Sequence, residues 1–178
     1  LSRSDLFVFN DKLWIEIEDS SGHYNYYSWD GVDSGVQATL TQETNLNAVN
    51  SSYLDHQVEF SGNLYCSYYD GTGYSVYKIE ADSAPQSESL ATAFSASTKF
   101  DEAYTVNNQL YFRGSDANFG DELWSWDGVS ASAERLTDIN PDSANGLYSF
   151  GVLGVASDES VFLIGDDGSN AEIELWVY

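Results

Sequence analysis

The sequence contains an internal repeat, and this repeat constrains the fold more than any other feature. An aliphatic–aromatic pair recurs four times along the chain, as Leu13-Trp14, Leu64-Tyr65, Leu110-Tyr111 and Val161-Phe162. The first and third pairs are 97 residues apart, as are the second and fourth, and at this offset SWDGV at 28–32 matches SWDGV at 125–129. The 178 residues therefore divide into four tandem units of one domain, approximately 1–50, 51–100, 101–146 and 147–178, arranged as a duplicated pair.

Each unit alternates short apolar segments with turn signals. The third unit predicts strands at 103–106, 109–113, 122–126 and 134–139. Asn-Asn and Asp-Gly turn signals separate them, and the first unit repeats the pattern with strands at 6–9, 12–18, 26–29 and 38–41. No segment has a convincing helical period, and the serine- and alanine-rich stretch 81–97 is the only doubtful one. The pattern predicts an all-β fold with four strands per unit.

Tandem four-stranded units of this length are typical of the blades of a β-propeller. One such sheet cannot bury both of its faces, whereas repetition around an axis stacks each face on the next blade. Trp124 and Trp126 lie two residues apart and so point to one face, as do Tyr27 and Trp29 one duplication earlier. We therefore predict a small β-propeller of about four blades with four antiparallel strands each. A β-sandwich of about fifteen short strands is the alternative.

The last unit reaches Tyr178 on its predicted third strand. We expect this blade to be incomplete, with its outer strand absent. An unpaired strand edge is usually covered or paired. Either four blades close with one short blade, or the domain is excised from a larger exported protein that supplies the strand.

The segment 119–128, FGDELWSWDG, followed by LTDINP at 136–141, resembles the ELWxxDGT-type repeats of bacterial secreted and surface propeller proteins. The fourth unit keeps ELW at 174–176, and the first keeps Trp29 followed by Asp30-Gly31. The resemblance implies a β-propeller in an extracellular, adhesin-like protein. It implies no particular activity, because no catalytic signature of the repeat family maps onto this chain.

Composition narrows the range of partners. Six basic against 29 acidic residues give a net charge of −23, which repels phosphate backbones and anionic lipid surfaces, so we expect no nucleic acid partner. No apolar run approaches the roughly 18 residues of a membrane span, so we expect no membrane insertion. The 5 Trp, 13 Tyr and 9 Phe indicate a folded aromatic core instead of an acidic disordered chain. Such a charge requires screening by cations, which favours an extracellular or cell-surface location.

Each unit also places an aspartate at the predicted turn between its second and third strands. Tyrosines and asparagines surround these aspartates, and carboxylates, amides and aromatic rings together suit carbohydrate recognition. We predict a ligand-binding site formed by Asp19, Tyr24, Asp70, Tyr74, Asp116, Asn118, Asp167 and Asn170. The alternative is that the aspartates and asparagines only build tight turns.

Some of the same residues also suit a calcium-binding site. Asp116, Asn118 and Asp121 place oxygen ligands at the first, third and sixth positions of a segment similar to an Asp-x-Asn calcium loop. The segment departs from that loop because its fifth position is glycine and it lacks an acidic twelfth ligand. Calcium is the one cofactor that the sequence predicts. The alternative is that cations only screen the negative charge of the protein, without a specific site.

Catalytic signatures are scarce. His23 and His56 are the only histidines, and neither HExxH nor G-x-S-x-G occurs. The single cysteine, Cys66, lies in an apolar segment, where cysteine is usually unreactive. Carboxylate pairs are abundant, so a glycoside-processing enzyme remains an alternative. The sequence favours a non-catalytic carbohydrate-binding module in adhesion or matrix attachment, with a structural spacer or protein-interaction propeller as the second interpretation.

Overall fold

A computed structural model describes residues 6–32, 40–43, 54–69, 74–80, 87–89, 94, 101–141, 144–156, 160–169 and 173–178. The described residues form an all-β structure of four antiparallel sheets that follow one another along the chain. Within this described part there is no helix long and apolar enough to cross a membrane. The prediction of an all-β fold is confirmed, and the strands belong to four separate sheets instead of the two that a sandwich requires.

Every sheet is a meander in which consecutive strands are neighbours. The first sheet contains β1 (Leu6–Phe9), β2 (Lys12–Glu18), β3 (Tyr24–Trp29) and β4 (Thr41–Gln42). The second contains β5 (Leu54–Phe60), β6 (Asn63–Tyr69), β7 (Tyr74–Ile79) and β8 (Ser87–Ser89). The third contains β9 (Asp101–Val106), β10 (Gln109–Asp116), β11 (Gly120–Trp126) and β12 (Glu134–Arg135). The fourth contains β13 (Leu147–Val155), β14 (Val161–Gly165) and β15 (Glu174–Val177), with no fourth strand among the described residues.

Two-residue turns connect the first and second strands of the first three sheets. Both turn residues have positive φ in each case: Asn10-Asp11, Ser61-Gly62 and Asn107-Asn108. The flanking residues pair directly, as Phe9 with Lys12 in the first sheet. Two consecutive positive φ values define the type I′ turn, whose twist matches that of the flanking strands. Asparagine, aspartate and glycine tolerate this conformation best, and they occupy five of these six positions.

Among the described residues, the core consists of three hydrophobic clusters, and each joins two consecutive sheets. The cluster between the first and second sheets contains Phe9, Trp14, Tyr26, Leu64, Cys66 and Ile79. The cluster between the second and third contains Phe60, Tyr65, Val76, Phe94, Leu110, Phe112 and Trp126. The cluster between the third and fourth contains Leu123, Ile139, Leu147, Val161 and Leu163. The sheets therefore stack face to face in chain order, and the second and third sheets are covered on both faces.

The first and third sheets share one strand register at the 97-residue offset. Leu6 pairs with Ile15 as Ala103 pairs with Phe112. Leu13 pairs with Trp29 as Leu110 pairs with Trp126. The agreement extends from the first strand to the third, so the duplicated sequence folds into duplicated sheets.

The predicted fourth strand at 134–139 is wrong beyond Arg135, and a buried carboxylate explains why. Glu122 is fully buried on β11. Its Oε2 accepts a hydrogen bond from Thr137 Oγ1 at 2.6 Å, and both carboxylate oxygens lie 3.1 Å from the donating Ile139 N–H. Thr137 Oγ1 also accepts from the Leu123 N–H. These bonds satisfy the Ile139 and Leu123 N–H groups through side chains in place of continued strand pairing.

Removal of a ring from the cluster between the second and third sheets should be strongly destabilising. Phe112 has no exposed surface and packs against Phe94, with ring centroids 5.3 Å apart. We expect Phe112→Ala to lower the free energy of unfolding by about 3–5 kcal/mol, measured by urea denaturation. The control is Tyr104→Ala on neighbouring β9, where the side chain is 36% exposed and the loss should be much smaller. Equal losses in the two variants would contradict this account of the core.

Candidate functional site

The predicted ligand site lies at the turns between the second and third strands of each sheet. The opposite turns of the second and third sheets lie together, because Ser61 Oγ donates to Asn108 Oδ1 at 3.0 Å. Since the strands run antiparallel, the turns of the predicted site lie at the other end of these two sheets. The connection from the third sheet to the fourth also passes this end, where the Asp121 N–H donates to Asn145 Oδ1.

Asp19 stabilises its own turn. Its Oδ1 accepts hydrogen bonds from the backbone N–H groups of Ser21 at 2.8 Å and His23 at 3.1 Å. The bond from the His23 N–H is the main reason that the pKa of Asp19 lies below its ordinary value. One carboxylate oxygen is therefore used within the turn, as the turn-building alternative predicts.

Asp167 has the same role in the fourth sheet. Its Oδ1 accepts from the Ser169 N–H at 2.8 Å, and hydrogen bonding to Ser169 lowers the pKa of this carboxyl group. The preceding Asp166 accepts from the Gly168 N–H at 2.7 Å and from the Tyr148 hydroxyl at 3.1 Å. The two aspartates together fix the conformation of this turn.

The predicted calcium residues lie at the turn between β10 and β11. Asp116 is the last residue of β10 and pairs with Gly120, and Asn118 is exposed in the three-residue turn between them. Asp121 points elsewhere, because its Oδ2 accepts from Arg113 Nη1 at 2.7 Å. Only 9% of the Arg113 side chain and 18% of the Asp121 side chain is exposed. Arg113 thus already neutralises the charge of Asp121.

Among the described residues, no three His, Cys, Asp or Glu side chains are grouped to hold a metal ion. The side chain of Asp116 is not among those described, so the calcium prediction stays a prediction. Gly120 fixes the shape of the same turn: its φ is +67°, and a Cβ at this position would overlap the carbonyl oxygen of Ala144. Only glycine combines this φ with so close an approach.

The structure describes the other residues of the predicted ligand site only in part. Tyr24 is half-buried and packs against the hydrophobic cluster between the first and second sheets. Tyr74 is the first residue of β7 and pairs with Tyr69, and its side chain lies outside the described part. Asp70 and Asn170 also lie outside the described residues.

A second candidate site, which the sequence reasoning missed, lies at the opposite end between the second and third sheets. It is a cleft of about 310 Å³ lined by Ser61, Asn63, Tyr65, Lys78, Asn108, Trp126, Asp127, Gly128 and Val129. Tyr65 and Trp126 form its floor, with ring centroids 5.6 Å apart in an edge-to-face arrangement. We call it the Tyr65–Trp126 cleft.

Hydrogen bonds hold the polar rim of the Tyr65–Trp126 cleft in place. Asp127 Oδ1 accepts from the N–H groups of Ser130 at 2.7 Å and Val129 at 2.9 Å, and its Oδ2 accepts from Ser130 Oγ. Lys78 pairs with Glu80 at 2.6 Å. The Asn-Asn and Asp-Gly turns carry the sequence signal for this rim, but by themselves they predict only turns between strands.

Comparisons with known proteins show a structural likeness but identify no family for this chain. No family model matches the chain, and neither does any curated protein. A solved structure, the acylaminoacyl peptidase of Pyrococcus horikoshii, aligns with 99% of this chain at a TM-score of 0.56 and 12% sequence identity. The aligned part is 26% of that longer chain. At this identity the likeness shows a shared fold alone.

The turn at Asp127 should be sensitive to acid. Its hydrogen bonds, foremost that from the Ser130 N–H, lower the pKa of Asp127 from 3.8 to about 2. A pKa lower in the folded state stabilises the fold above pH 3.8, and this contribution is lost as the pH falls towards 2. We expect Asp127→Asn to reduce the drop in melting temperature between pH 4 and pH 2. Glu134→Gln, at an exposed carboxylate on β12, is the control and should leave that drop unchanged.

The ion pair of Arg113 and Asp121 gives a test of the calcium prediction. Asp121→Asn should cost about 3 kcal/mol of unfolding free energy, because it leaves a largely buried guanidinium without its counter-charge. The double variant Arg113→Met with Asp121→Asn should recover part of this loss. If Asp121 serves the ion pair alone, calcium will raise the melting temperature of the wild type and the double variant equally. A calcium effect that disappears in the double variant would identify Asp121 as a ligand.

Proposed function

We propose that this chain is a non-catalytic, extracellular ligand-binding module whose four sheets are consecutive blades of a β-propeller. The proposal is supported by the three hydrophobic clusters, each of which joins consecutive sheets. It is also supported by contacts between first strands, as β9 contacts both β5 and β13. Thr105 Oγ1 on β9 donates to the Glu59 carbonyl on β5 at 3.0 Å. First strands that contact one another around an axis are the innermost strands of a propeller.

The ligand that we propose is a neutral carbohydrate bound in the Tyr65–Trp126 cleft. The observation that carries this proposal is the combination of aromatic rings with amide, hydroxyl and charged groups in one concave site of about 310 Å³. The side chains of Asn63 and Asn108 each carry an amide that can donate to and accept from sugar hydroxyls. An anionic ligand is disfavoured, because it would approach a protein of net charge −23.

The surroundings of two groups whose pKa burial raises support a non-catalytic role. Burial raises the pKa of the Cys66 thiol, and the nearby Glu16 carboxylate raises it further. Burial also raises the pKa of Glu122, whose carboxylate accepts hydrogen bonds from Thr137 and Ile139. A protonated, buried thiol is a poor nucleophile, and the carboxylate is occupied in structural hydrogen bonds.

A structural spacer or protein-interaction propeller is the second candidate function. The observation that favours it is the position of the tyrosine rings: Tyr26 and Tyr65 are 2% and 3% exposed, and Tyr24 packs against the core. Rings that fill the space between sheets contribute stability and leave less aromatic surface for a ligand. The two candidates differ in whether a sugar binds at all.

The experiment is a glycan array, with and without calcium, followed by calorimetric titration of the best ligand. We expect Asn63→Ala combined with Asn108→Gly to weaken binding at least tenfold with little change in melting temperature. Glycine is chosen because Asn108 has a φ of +59°. The matched control, Asp70→Ala with Asp116→Ala at the ligand site predicted from the sequence, should retain binding.

The reverse result, with loss only in the aspartate variant, would move the site to the turns between second and third strands. Retained binding in both variants would overturn both sites. An array without a carbohydrate ligand would favour the spacer or protein-interaction function.

A further inference from the structure

The aromatic floor of the Tyr65–Trp126 cleft offers little surface to a ligand. Tyr65 and Trp126 are only 3% and 5% exposed, because their rings pack on one another and on Phe60. The indole N–H of Trp126 donates to the Ser130 carbonyl at 2.9 Å, so the polar edge of this ring is used within the protein. The two rings support the cleft from below and leave too little open surface for the flat face of a sugar ring to stack on them.

Val129 is the most exposed apolar residue that lines the cleft. It is 87% exposed, and its N–H donates to Asp127 Oδ1 at 2.9 Å. The adjoining Gly128 lies against the second sheet, where a Cβ would come within 2.9 Å of the Phe60 ring. Hydrogen bonding and packing thus fix the backbone that carries Val129. A branched aliphatic side chain in a fixed position suits contact with one small apolar group of a ligand.

The opposite wall of the cleft is polar and is formed by two hairpin turns. Asn63 Nδ2 donates to the Ser61 carbonyl at 3.3 Å, and Ser61 Oγ donates to Asn108 Oδ1 at 3.0 Å. These two bonds leave Asn63 Oδ1 as an acceptor and Asn108 Nδ2 as a donor for a ligand. A hydroxyl group can both donate and accept, so this wall suits neighbouring hydroxyls.

The two charged residues that line the cleft both have partners. Lys78 pairs with Glu80 at 2.6 Å. The carboxylate of Asp127 accepts hydrogen bonds from the backbone of Val129 and Ser130. A charged ligand would have to compete with these interactions, whereas a neutral ligand leaves them intact.

We infer that the cleft selects a neutral sugar that carries a methyl group, with this methyl group against Val129 and the neighbouring hydroxyls on Asn63 and Asn108. The inference rests on the carbohydrate function proposed above and names the class of sugar. A methyl group beside hydroxyls is found at C6 of a 6-deoxyhexose and in the acetyl group of an N-acetylhexosamine. Val129 is the residue that determines specificity, while the asparagines bind hydroxyls that sugars with and without the methyl group share.

The test is calorimetric titration of the full chain with matched sugars. L-fucose and L-galactose differ only in the hydroxyl at C6, and N-acetyl-D-glucosamine is compared with D-glucose to test the acetyl group as the source of the methyl. We expect the protein to bind the methyl-bearing member of one pair about fourfold more tightly, which is the effect of burying one methyl group. Val129→Thr replaces a methyl group by a hydroxyl at nearly the same volume and should abolish this preference.

The first sheet provides a matched control. SWDGV at 28–32 repeats SWDGV at 125–129, so Val32 is the equivalent of Val129. Val32 is 76% exposed, and its N–H donates to Asp30 Oδ1 at 3.1 Å, but it does not line the cleft. Val32→Thr makes the same chemical change outside the cleft and should keep the preference of the wild type. The melting temperature of each variant checks its fold.

The asparagine variant separates specificity from general affinity. Asn63→Ala with Asn108→Gly should weaken both members of the preferred pair by the same factor, so their affinity ratio stays unchanged. Equal affinities within both pairs for the wild type, or a preference that survives in Val129→Thr, would overturn the methyl contact and leave the carbohydrate function standing. A preference lost equally in Val32→Thr would also overturn it. A protein that binds no sugar would overturn the carbohydrate function and this inference with it.

Discussion

A β-sheet with apolar side chains on both faces has to be covered on both faces, and the rest of this structure depends on that constraint. The second and third sheets satisfy it through rings such as Phe60, Tyr65 and Trp126, which pack with centroids 5.6 to 6.3 Å apart. Burial of aromatic surface supplies most of the favourable free energy in such a core. Because no sheet is stable alone, the position of each sheet is fixed by its neighbours in the stack.

The strands were predictable where the alternation of apolar and polar residues agrees with the residue types at the flanking turns. The strands at 6–9 and 12–18 have the predicted bounds, because Asn10-Asp11 can adopt the positive φ values that a tight hairpin needs. The fourth strand of the third unit could not be predicted, because its end is set by Glu122. A glutamate within an apolar strand gives no sequence signal for the residues that it will bind 15 and 17 positions away.

The candidate site was harder to predict than the fold, and the reason is that acidic residues serve several roles here. Asp19 and Asp167 accept hydrogen bonds from their own turns, and Asp121 neutralises Arg113. Both roles draw on the same residue type at similar turn positions, so spacing alone does not separate them. The residues that line the Tyr65–Trp126 cleft lie at 61–78 and 108–129, and only the packing of the second sheet on the third brings the walls together.

The arrangement of contacts along the chain also has a consequence for how this protein folds and unfolds. Each sheet is built from one continuous segment, and each hydrophobic cluster joins only consecutive sheets. Such locality allows any hairpin to form early without closing a long loop, which favours rapid folding. Within the described stack, the first and fourth sheets each contact one other sheet, so unfolding of this segment should begin there, while the second and third sheets form the last cooperative unit to open.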